Sequence, residues 1–165
     1  MTHVYLDASA LVKRFRHELG SEVVNDTIDR VSADNPRRLV VSALTTLETL
    51  AILNRRSNEA HIPRPAFLRS LQGVLREIRR FSHYLVIDDR RILASATYTL
   101  RHNINSADAI HVAVLLALRE TLPHTSEALV CLAADKRLVR AVRAEGVTVV
   151  DPEQDSITEA QALIP

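Results

Sequence analysis

Residues 3–16 read HVYLDASALVKRFR, a short apolar run that passes directly into a segment with helical spacing. The run at 3–6 predicts a buried strand, and Leu11, Val12 and Phe15 recur at the spacing of one helix face. Asp7 stands at the junction between the two patterns. A buried strand that continues into a helix is the repeating unit of α/β proteins, so this stretch indicates the fold class.

The same alternation continues through the chain. Further apolar runs predict strands at 39–41, 84–87, 129–132 and 147–150, and helical patterns occupy 9–16, 22–31, 44–54, 66–80, 89–102, 107–120 and 136–144. Ser106 is the expected cap of the helix 107–120. Strands that are apolar throughout predict a mostly parallel sheet covered by helices on both faces. We therefore predict one three-layer α/β/α domain over 1–150. The polar C-terminal tail, 151–165, is expected to be loosely held, packed on the domain or trailing from it.

The composition is that of an ordinary globular protein, with 47% hydrophobic and 25% charged residues in a chain of 165. Aromatic residues make up only 4%, which argues against a nucleic-acid module that stacks bases on aromatic side chains. The net charge of +1 leaves any attraction for nucleic acid to local patches. We predict a soluble cytoplasmic protein with no membrane segment. The chain has a single cysteine, Cys131, it shows no signal-peptide pattern, and it contains no run of ~18 apolar residues.

Four acidic residues fall where predicted strands pass into helices. Asp7 ends the first predicted strand, and Asp135 comes just after the strand predicted at 129–132. Glu48 lies in the first turns of the helix after the second strand, and Asp108 opens the helix 107–120. In an open parallel sheet the functional crevice lies beyond the carboxyl ends of the strands. We therefore expect all four acids to lie on one rim of the sheet.

Each acid also has a purely structural explanation. Asp7 and Asp135 could be N-caps, and Asp108 in a first helical turn is favoured by the helix dipole. Thr45 and Glu48 match the capping-box pattern. Four such acids at matching places in successive strand–helix units are nevertheless hard to explain as independent caps. Capping and catalysis are also compatible, because a helix N-terminus helps to keep a carboxylate ionised.

Several carboxylates in one cleft repel one another, so they must separate, take up protons or bind a cation. No pair of Cys or His residues has the spacing of a zinc site, and oxygen-only ligands favour Mg²⁺, with Mn²⁺ as a substitute. A metal held in this way activates water and neutralises charge on phosphorus oxygens. The acid set therefore predicts a Mg²⁺ centre suited to phosphodiester hydrolysis.

Four segments resemble, in order, the motifs of PIN-domain ribonucleases, especially the toxin half of VapBC-type toxin–antitoxin pairs. They are 4–13 (VYLDASALVK), 42–48 (SALTTLE), 107–113 (ADAIHVA) and 134–138 (ADKRL), and the resemblance extends from Val4 to Val150. It implies a five-stranded parallel sheet, dependence on Mg²⁺ or Mn²⁺, and endonucleolytic cleavage of RNA that leaves a 3′-hydroxyl and a 5′-phosphate. It also implies a cognate antitoxin and a second copy of the chain, in a homodimer, as partners.

The resemblance assigns both catalysis and metal binding to the four acids, and it makes Ser9 a residue that holds either Asp7 or a metal-bound water. Two positions depart from the family pattern. Ala133 stands where a hydroxyl residue is often found, two positions before the fourth acid, and Lys136 stands where a further acid can follow. These departures leave the number of metal ions open.

Other residues have a weaker claim to a functional role. Lys13, Lys136 and Arg137 lie beside the predicted cleft, where they could contact RNA phosphates, although each could equally belong to a solvated surface. His111, one turn after Asp108, could touch the substrate or orient a carboxylate. A single histidine in an otherwise apolar helix is more often simply packed.

The helices 44–54 and 66–80 could leave an apolar groove between them for a partner's amphipathic segment. Our leading hypothesis is an RNA endonuclease toxin held in check by an antitoxin. Two alternatives keep the fold: an RNA-processing nuclease without an antitoxin, and a catalytically inert binding module, against which the complete acid set argues. A haloacid-type phosphatase is a weaker rival, because the segment 7–9 lacks the second Asp that such a site requires.

Overall fold

Five parallel strands form the centre of the molecule. The computed structural model describes residues 1–81, 83–85, 87–122 and 128–165. The strands are β1 (Thr2–Leu6), β2 (Leu39–Ser42), β3 (His83–Leu85), β4 (Ala128–Leu132) and β5 (Thr148–Val150), in the spatial order β3-β2-β1-β4-β5. Every neighbouring pair is parallel, which confirms the expected five-stranded parallel sheet. Position 86, part of the predicted strand 84–87, lies outside the described residues.

Helices connect the strands and follow the predicted pattern. They are α1 (Ala8–Phe15), α2 (Ser21–Asp34), α3 (Ala43–Glu59), α4 (Arg64–Phe81), α5 (Asp89–His102), α6 (Ser106–Thr121), α7 (Lys136–Ala144) and α8 (Ile157–Leu163), with a short 3₁₀ helix at Pro36–Arg38. The largest difference within the predicted helices is at α3, which continues past position 54 to Glu59. Among the helices of the described ranges, none has the length and apolar character needed to cross a membrane.

The central strand β1 shows how the three layers form. Successive residues of a strand point to opposite faces, so Val4 and Leu6 face one side of the sheet and Tyr5 faces the other. Val4 and Leu6 belong to an apolar cluster with buried residues of α1, α2, α4 and α8. Tyr5 belongs to a second cluster with buried residues of α6 and α7. All three side chains are completely buried, so the predicted three-layer α/β/α arrangement is confirmed.

The C-terminal tail is part of the first of these clusters. Its helix α8 packs against α2, and Ala160 and Ile164 are completely buried. Arg38, itself buried, donates a hydrogen bond from Nη2 to the backbone oxygen of Pro165 at 2.9 Å. Two apolar residues one turn apart are enough to dock a short helix on a neighbour, so the tail packs more firmly than its polar sequence suggested.

Candidate active site

Asp7 ends the first strand–helix junction and caps α1. Its Oδ2 accepts hydrogen bonds from the Ser9 backbone N–H at 2.9 Å and from Ser9 Oγ at 2.5 Å. Ser9 Oγ in turn accepts from the backbone N–H groups of Ala134 at 2.9 Å and Asp135 at 3.1 Å. One hydroxyl group therefore fixes the Asp7 carboxylate and joins the loops that follow the neighbouring strands β1 and β4.

Asp135 is an N-cap as well as a candidate ligand. Its Oδ1 accepts from the backbone N–H groups of Arg137 at 2.8 Å and Leu138 at 3.1 Å, at the start of α7. The structural explanation offered for Asp7 and Asp135 is therefore correct, since both cap helices. Each cap uses one carboxylate oxygen, which leaves the second oxygen of each side chain for other contacts.

Glu48 does not have the capping role that its sequence context suggested. The N-cap of α3 is Ser42, whose Oγ accepts from the Thr45 backbone N–H at 3.0 Å, and Thr45 completes the capping box. Because the helix begins at Ala43, Glu48 lies in its second turn, beyond the reach of a cap. The Glu48 carboxylate instead accepts a hydrogen bond from His111 Nε2 at 2.7 Å. The capping explanation was wrong for this residue.

His111 on α6 connects two of the acids. Its side chain is 2% exposed, and its Nε2 lies 2.7 Å from Glu48 Oε2 and 3.3 Å from Asp7 Oδ1. Its Nδ1 is hydrogen-bonded to the hydroxyl group of Tyr5 at 2.7 Å. Burial alone would lower the pKa of this imidazole, but contact with Tyr5, the hydrogen bond with Glu48 and the charge of Asp7 raise it well above the usual 6.5. The histidine is packed, as expected, and its Nε2 lies close to both carboxylates.

Asp108 is the acid with the least compensation. It lies in the first turn of α6, where the N-cap is Asn105 and not the expected Ser106, since Asn105 Oδ1 accepts from the Asp108 backbone N–H at 2.9 Å. The Asp108 side chain is 8% exposed, and its Oδ2 is buried with no hydrogen-bond partner among the described residues. Burial and the charges of Asp135 and Asp7 raise the pKa of this carboxyl to about 6. A carboxylate in this setting is stabilised by a nearby cation.

The structure brings the four acids together. Asp7, Glu48, Asp108 and Asp135 all line one cleft of about 350 Å³ at the carboxyl edge of the sheet. Within that cleft, ligand atoms of Asp7, Glu48 and His111 lie within 4.8 Å of one another. The four acids thus line one cleft at the edge of the sheet, as their positions at the strand ends predicted, and Asp7 and Glu48 are close enough to contact one bound group.

The donor set of the cleft fits a hard divalent cation. Carboxylate oxygens dominate it, and the buried Oδ2 of Asp108 has no partner in the described part of the protein. Mg²⁺ takes one or two carboxylates and keeps several waters, so the four acids need not all contact it directly. A site of this kind can bind a phosphodiester, whose negative charge the acids alone would repel.

The three basic residues expected beside the cleft differ in their surroundings. Lys13 is buried, and its Nζ donates to Glu153 at 2.8 Å and to Glu18 at 3.0 Å. Lys136 is 60% exposed, with its Nζ 3.1 Å from Asp151 Oδ2. Arg137 is exposed on α7. Their contact with a substrate stays a prediction, and for Lys13 it would require the amine to leave two carboxylates.

Three further residues of the site were not predicted from the sequence. Asn105 could have been found, because Asn is among the best N-caps and stands just before Ser106. Arg55, which lines the acidic cleft, lies seven residues after Glu48, a spacing that places both on one helix face. Nothing in the sequence pattern indicates that Tyr5 contacts His111, since the two are 106 positions apart.

The apolar groove expected between the helices α3 and α4 is present. It is a cavity of about 280 Å³ whose apolar wall includes Leu53 of α3, Phe15 of α1, and Phe67, Leu71 and Val74 of α4. The groove is next to a second, polar cavity that shares Arg16 and Arg56 with it.

Known proteins resemble this chain over nearly its whole length. The sequence pattern of the PIN domain family matches residues 4–144. Ribonuclease VapC35 from Mycobacterium tuberculosis, in strains H37Rv and CDC 1551, is 32% identical over 151 residues, which cover 92% of this chain and 98% of that protein.

Two crystal structures share the fold. PAE2754 from Pyrobaculum aerophilum superposes with a TM-score of 0.61 at 18% identity, covering 98% of this chain and 99% of that one. FitAcB from Neisseria gonorrhoeae has a TM-score of 0.59 at 18% identity, covering 92% of this chain and 99% of that one. At this identity the two structures support the arrangement of strands and helices and nothing finer.

Proposed function

The chain belongs to the PIN-domain family, and on that premise we propose that it is a metal-dependent endoribonuclease that hydrolyses RNA phosphodiester bonds. The observation that carries the proposal is the buried carboxylate oxygen of Asp108, which has no partner among the residues that the structure describes and lies in one cleft with Asp7, Glu48 and Asp135. The name of the relative VapC35, a ribonuclease 32% identical to this chain, supports RNA as the substrate.

We propose that the four acids hold Mg²⁺, or Mn²⁺ in its place, with Asp7 and Asp108 as the principal ligands. When bound, the cation supplies a Lewis acid that activates water and neutralises the charge that develops on the phosphorus oxygens. The acids without the cation would repel an RNA phosphate, because like charges at short range destabilise one another.

The other residues of the cleft keep the acids in position. Ser9 fixes Asp7 Oδ2, so the carboxylate has one oxygen directed by the protein and one left for the cleft. His111 Nε2 donates a hydrogen bond to the Glu48 carboxylate, and the Tyr5 hydroxyl group is hydrogen-bonded to the other ring nitrogen of His111. Preorganised ligands of this kind need little rearrangement when charge develops in the transition state. The activation barrier is lower for that reason.

We further propose that the protein is a cytoplasmic toxin, active as a homodimer and inhibited by a cognate antitoxin that covers the acidic cleft. The resemblance to VapBC-type toxins supports this assignment. The groove between α3 and α4 offers an apolar surface that is separated from the cleft by the polar cavity. An inert binding module is disfavoured, because a buried carboxylate without a partner destabilises a protein that makes no use of it.

The test is incubation of the pure protein with single-stranded RNA, structured RNA and single-stranded DNA, in Mg²⁺ and in chelator. We expect RNA to be cut only with the metal, to leave 5′-phosphate ends, and to stay intact with the Asp7→Asn and Asp108→Asn variants. Asp29→Asn, an exposed acid of α2 paired with Arg14 at 2.7 Å, is the matched control and should cut normally. Cleavage in chelator, or equal cleavage by Asp108→Asn, would contradict the proposal.

A further inference from the structure

The helix α3 presents one face to the acidic cleft. Glu48, Ala51, Ile52 and Arg55 all line it, and their spacing of three, four and seven residues is that of a single helix face. Arg55 stands at the far end of this face, about 10.5 Å beyond Glu48 along the helix axis at 1.5 Å per residue. Among the described residues that line the cleft, Arg55 is the only one with a positive charge, and it lies at a distance from the four acids.

Arg55 also lines the polar cavity next to the cleft. That second cavity has a volume of about 280 Å³ and shares Ser9, Ile52, Arg55 and Asp135 with the acidic cleft. The two cavities thus meet along a common rim, and a strand that lies over the acids can continue into the second cavity past Arg55.

The other cations of the second cavity already have carboxylate partners. Lys13 is bonded to Glu18 and Glu153, Arg16 lies 3.8 Å from Glu18, and Arg56 lies 3.3 Å from Glu59. By contrast, the side chain of Arg55 is exposed and makes neither a hydrogen bond nor an ion pair in the ranges that the structure describes. A guanidinium group is always charged and has a fork of donors that matches phosphate oxygens.

We propose that Arg55 binds an RNA phosphate one or two nucleotides from the bond that is cut, and so positions the strand across the acids. This inference rests on the proposed ribonuclease function, which it makes more specific. Because the contact is remote from the reacting atoms, it is the same in the ground state and in the transition state. It therefore contributes to substrate binding and leaves the chemical step unchanged.

The experiment measures binding of a fluorescently labelled single-stranded RNA by anisotropy, in the Asp108→Asn background so that no strand is cut. All variants are compared at one Mg²⁺ concentration, so that any loss of metal in this background is common to them. Arg55→Ala should weaken binding by about threefold to tenfold and reduce the slope of log K against log salt by about 0.7, the loss of one phosphate contact on a single strand. Arg55→Lys keeps the charge and should keep the slope. Arg69→Ala, an exposed arginine of α4 outside both cavities, is the matched control and should bind like the parent.

Cleavage kinetics with Asp108 intact provide a second measurement. Arg55→Ala should raise KM by a similar factor with kcat nearly unchanged. The inference is overturned if RNA is bound and cut but Arg55→Ala has the affinity and salt slope of Arg69→Ala, if kcat falls while KM stays constant, or if Arg55→Lys loses the slope as Arg55→Ala does. If the parent protein neither binds nor cuts RNA, the proposed function fails, and the inference fails with it.

Discussion

At the scale of single residues, burial and charge work against each other at Asp108. Its Oδ2 is buried and has no partner among the described residues, and the charges of Asp135 and Asp7 make ionisation of the carboxyl group still less favourable. Its neighbour His111 is buried more completely than Asp108, but both of its ring nitrogens are hydrogen-bonded. The two residues lie one turn apart on α6. One helix therefore carries both the acid whose charge is least compensated and the imidazole that contacts Asp7 and Glu48.

We predict that Asp108→Asn makes the metal-free protein more stable while it removes RNA cleavage. The amide keeps the shape of the side chain but removes a buried charge, a gain we expect to be about 1–2 kcal/mol, or roughly 3–6 °C in Tm for a chain of this size. The measurement is thermal unfolding in chelator, with Asp29→Asn as control. A lower Tm for Asp108→Asn would mean that the carboxylate has a stabilising partner in the folded protein.

The contact between Tyr5 and His111 gives a second prediction at this scale. Tyr5→Phe keeps the aromatic ring in the core but leaves His111 Nδ1 without its partner, so unfolding free energy should fall by about 1–2 kcal/mol. RNA cleavage should fall several-fold because the imidazole no longer holds Glu48 firmly. Tyr98→Phe is the control, since that hydroxyl has no partner in the described ranges. Urea titration and initial rates measure both effects, and equal behaviour of the two variants would remove Tyr5 from the positioning network.

At the scale of elements, the turn between α1 and α2 docks closely on the loop after β5. Gly20 has φ +84°, and a Cβ atom placed there would lie 2.5 Å from the backbone oxygen of Pro152. The first turn of α2 therefore depends on a residue without a side chain, which brings the N-terminal helices against the C-terminal segment.

We predict opposite effects for two Gly→Ala changes. Gly20→Ala should destabilise the fold by about 2–4 kcal/mol, because it combines positive φ with a backbone clash. Gly73→Ala, in the middle of α4 with no atom of the described residues within 4 Å of the added Cβ, should stabilise it by up to about 1 kcal/mol through helix propensity. Chemical denaturation of both variants measures the difference. A neutral Gly20→Ala would show that the turn can move away from Pro152.

The elements also show how far the sequence predicts the site. Apolar runs located the strands, and strand ends located Asp7 and Asp135, because a parallel sheet brings carboxyl ends to one edge. Helix starts were less certain, since Asn105 and Ser42 cap where Ser106 and Thr45 were expected. The pattern of apolar residues changes little over a shift of one to three residues, so it does not determine the first residue of a helix.

At the scale of the whole molecule, the C-terminal segment contributes buried residues to the apolar cluster on one face of the sheet. Ile164 is completely buried there together with Val24, Ile28 and Val31 of α2. Arg30 and Arg38 donate to the backbone oxygens of Ile164 and Pro165. We propose that the tail 151–165 folds as part of the domain 1–150 and contributes to its hydrophobic core. Such contacts between distant parts of a chain depend on the folded geometry, and a short polar segment gives little sign of them.

We predict that Ile164→Ala lowers the unfolding free energy by about 2–4 kcal/mol, the usual loss for a large-to-small change in a closed core. Leu163→Ala is the neighbouring control: its side chain is 41% exposed, and the change should have a much smaller effect. Equilibrium unfolding in urea, followed by circular dichroism, compares the two. Equal small effects would show that α8 contributes little to the stability of the domain.

The central claim is that the four acids share a divalent cation, and calorimetric titration of Mg²⁺ or Mn²⁺ into the pure protein tests it most directly. The wild type should bind the metal with a saturable heat, Asp108→Asn should bind it at least about tenfold more weakly, and Asp29→Asn should match the wild type. Equal affinity in the wild type and Asp108→Asn, or no saturable binding at millimolar metal, would contradict the account.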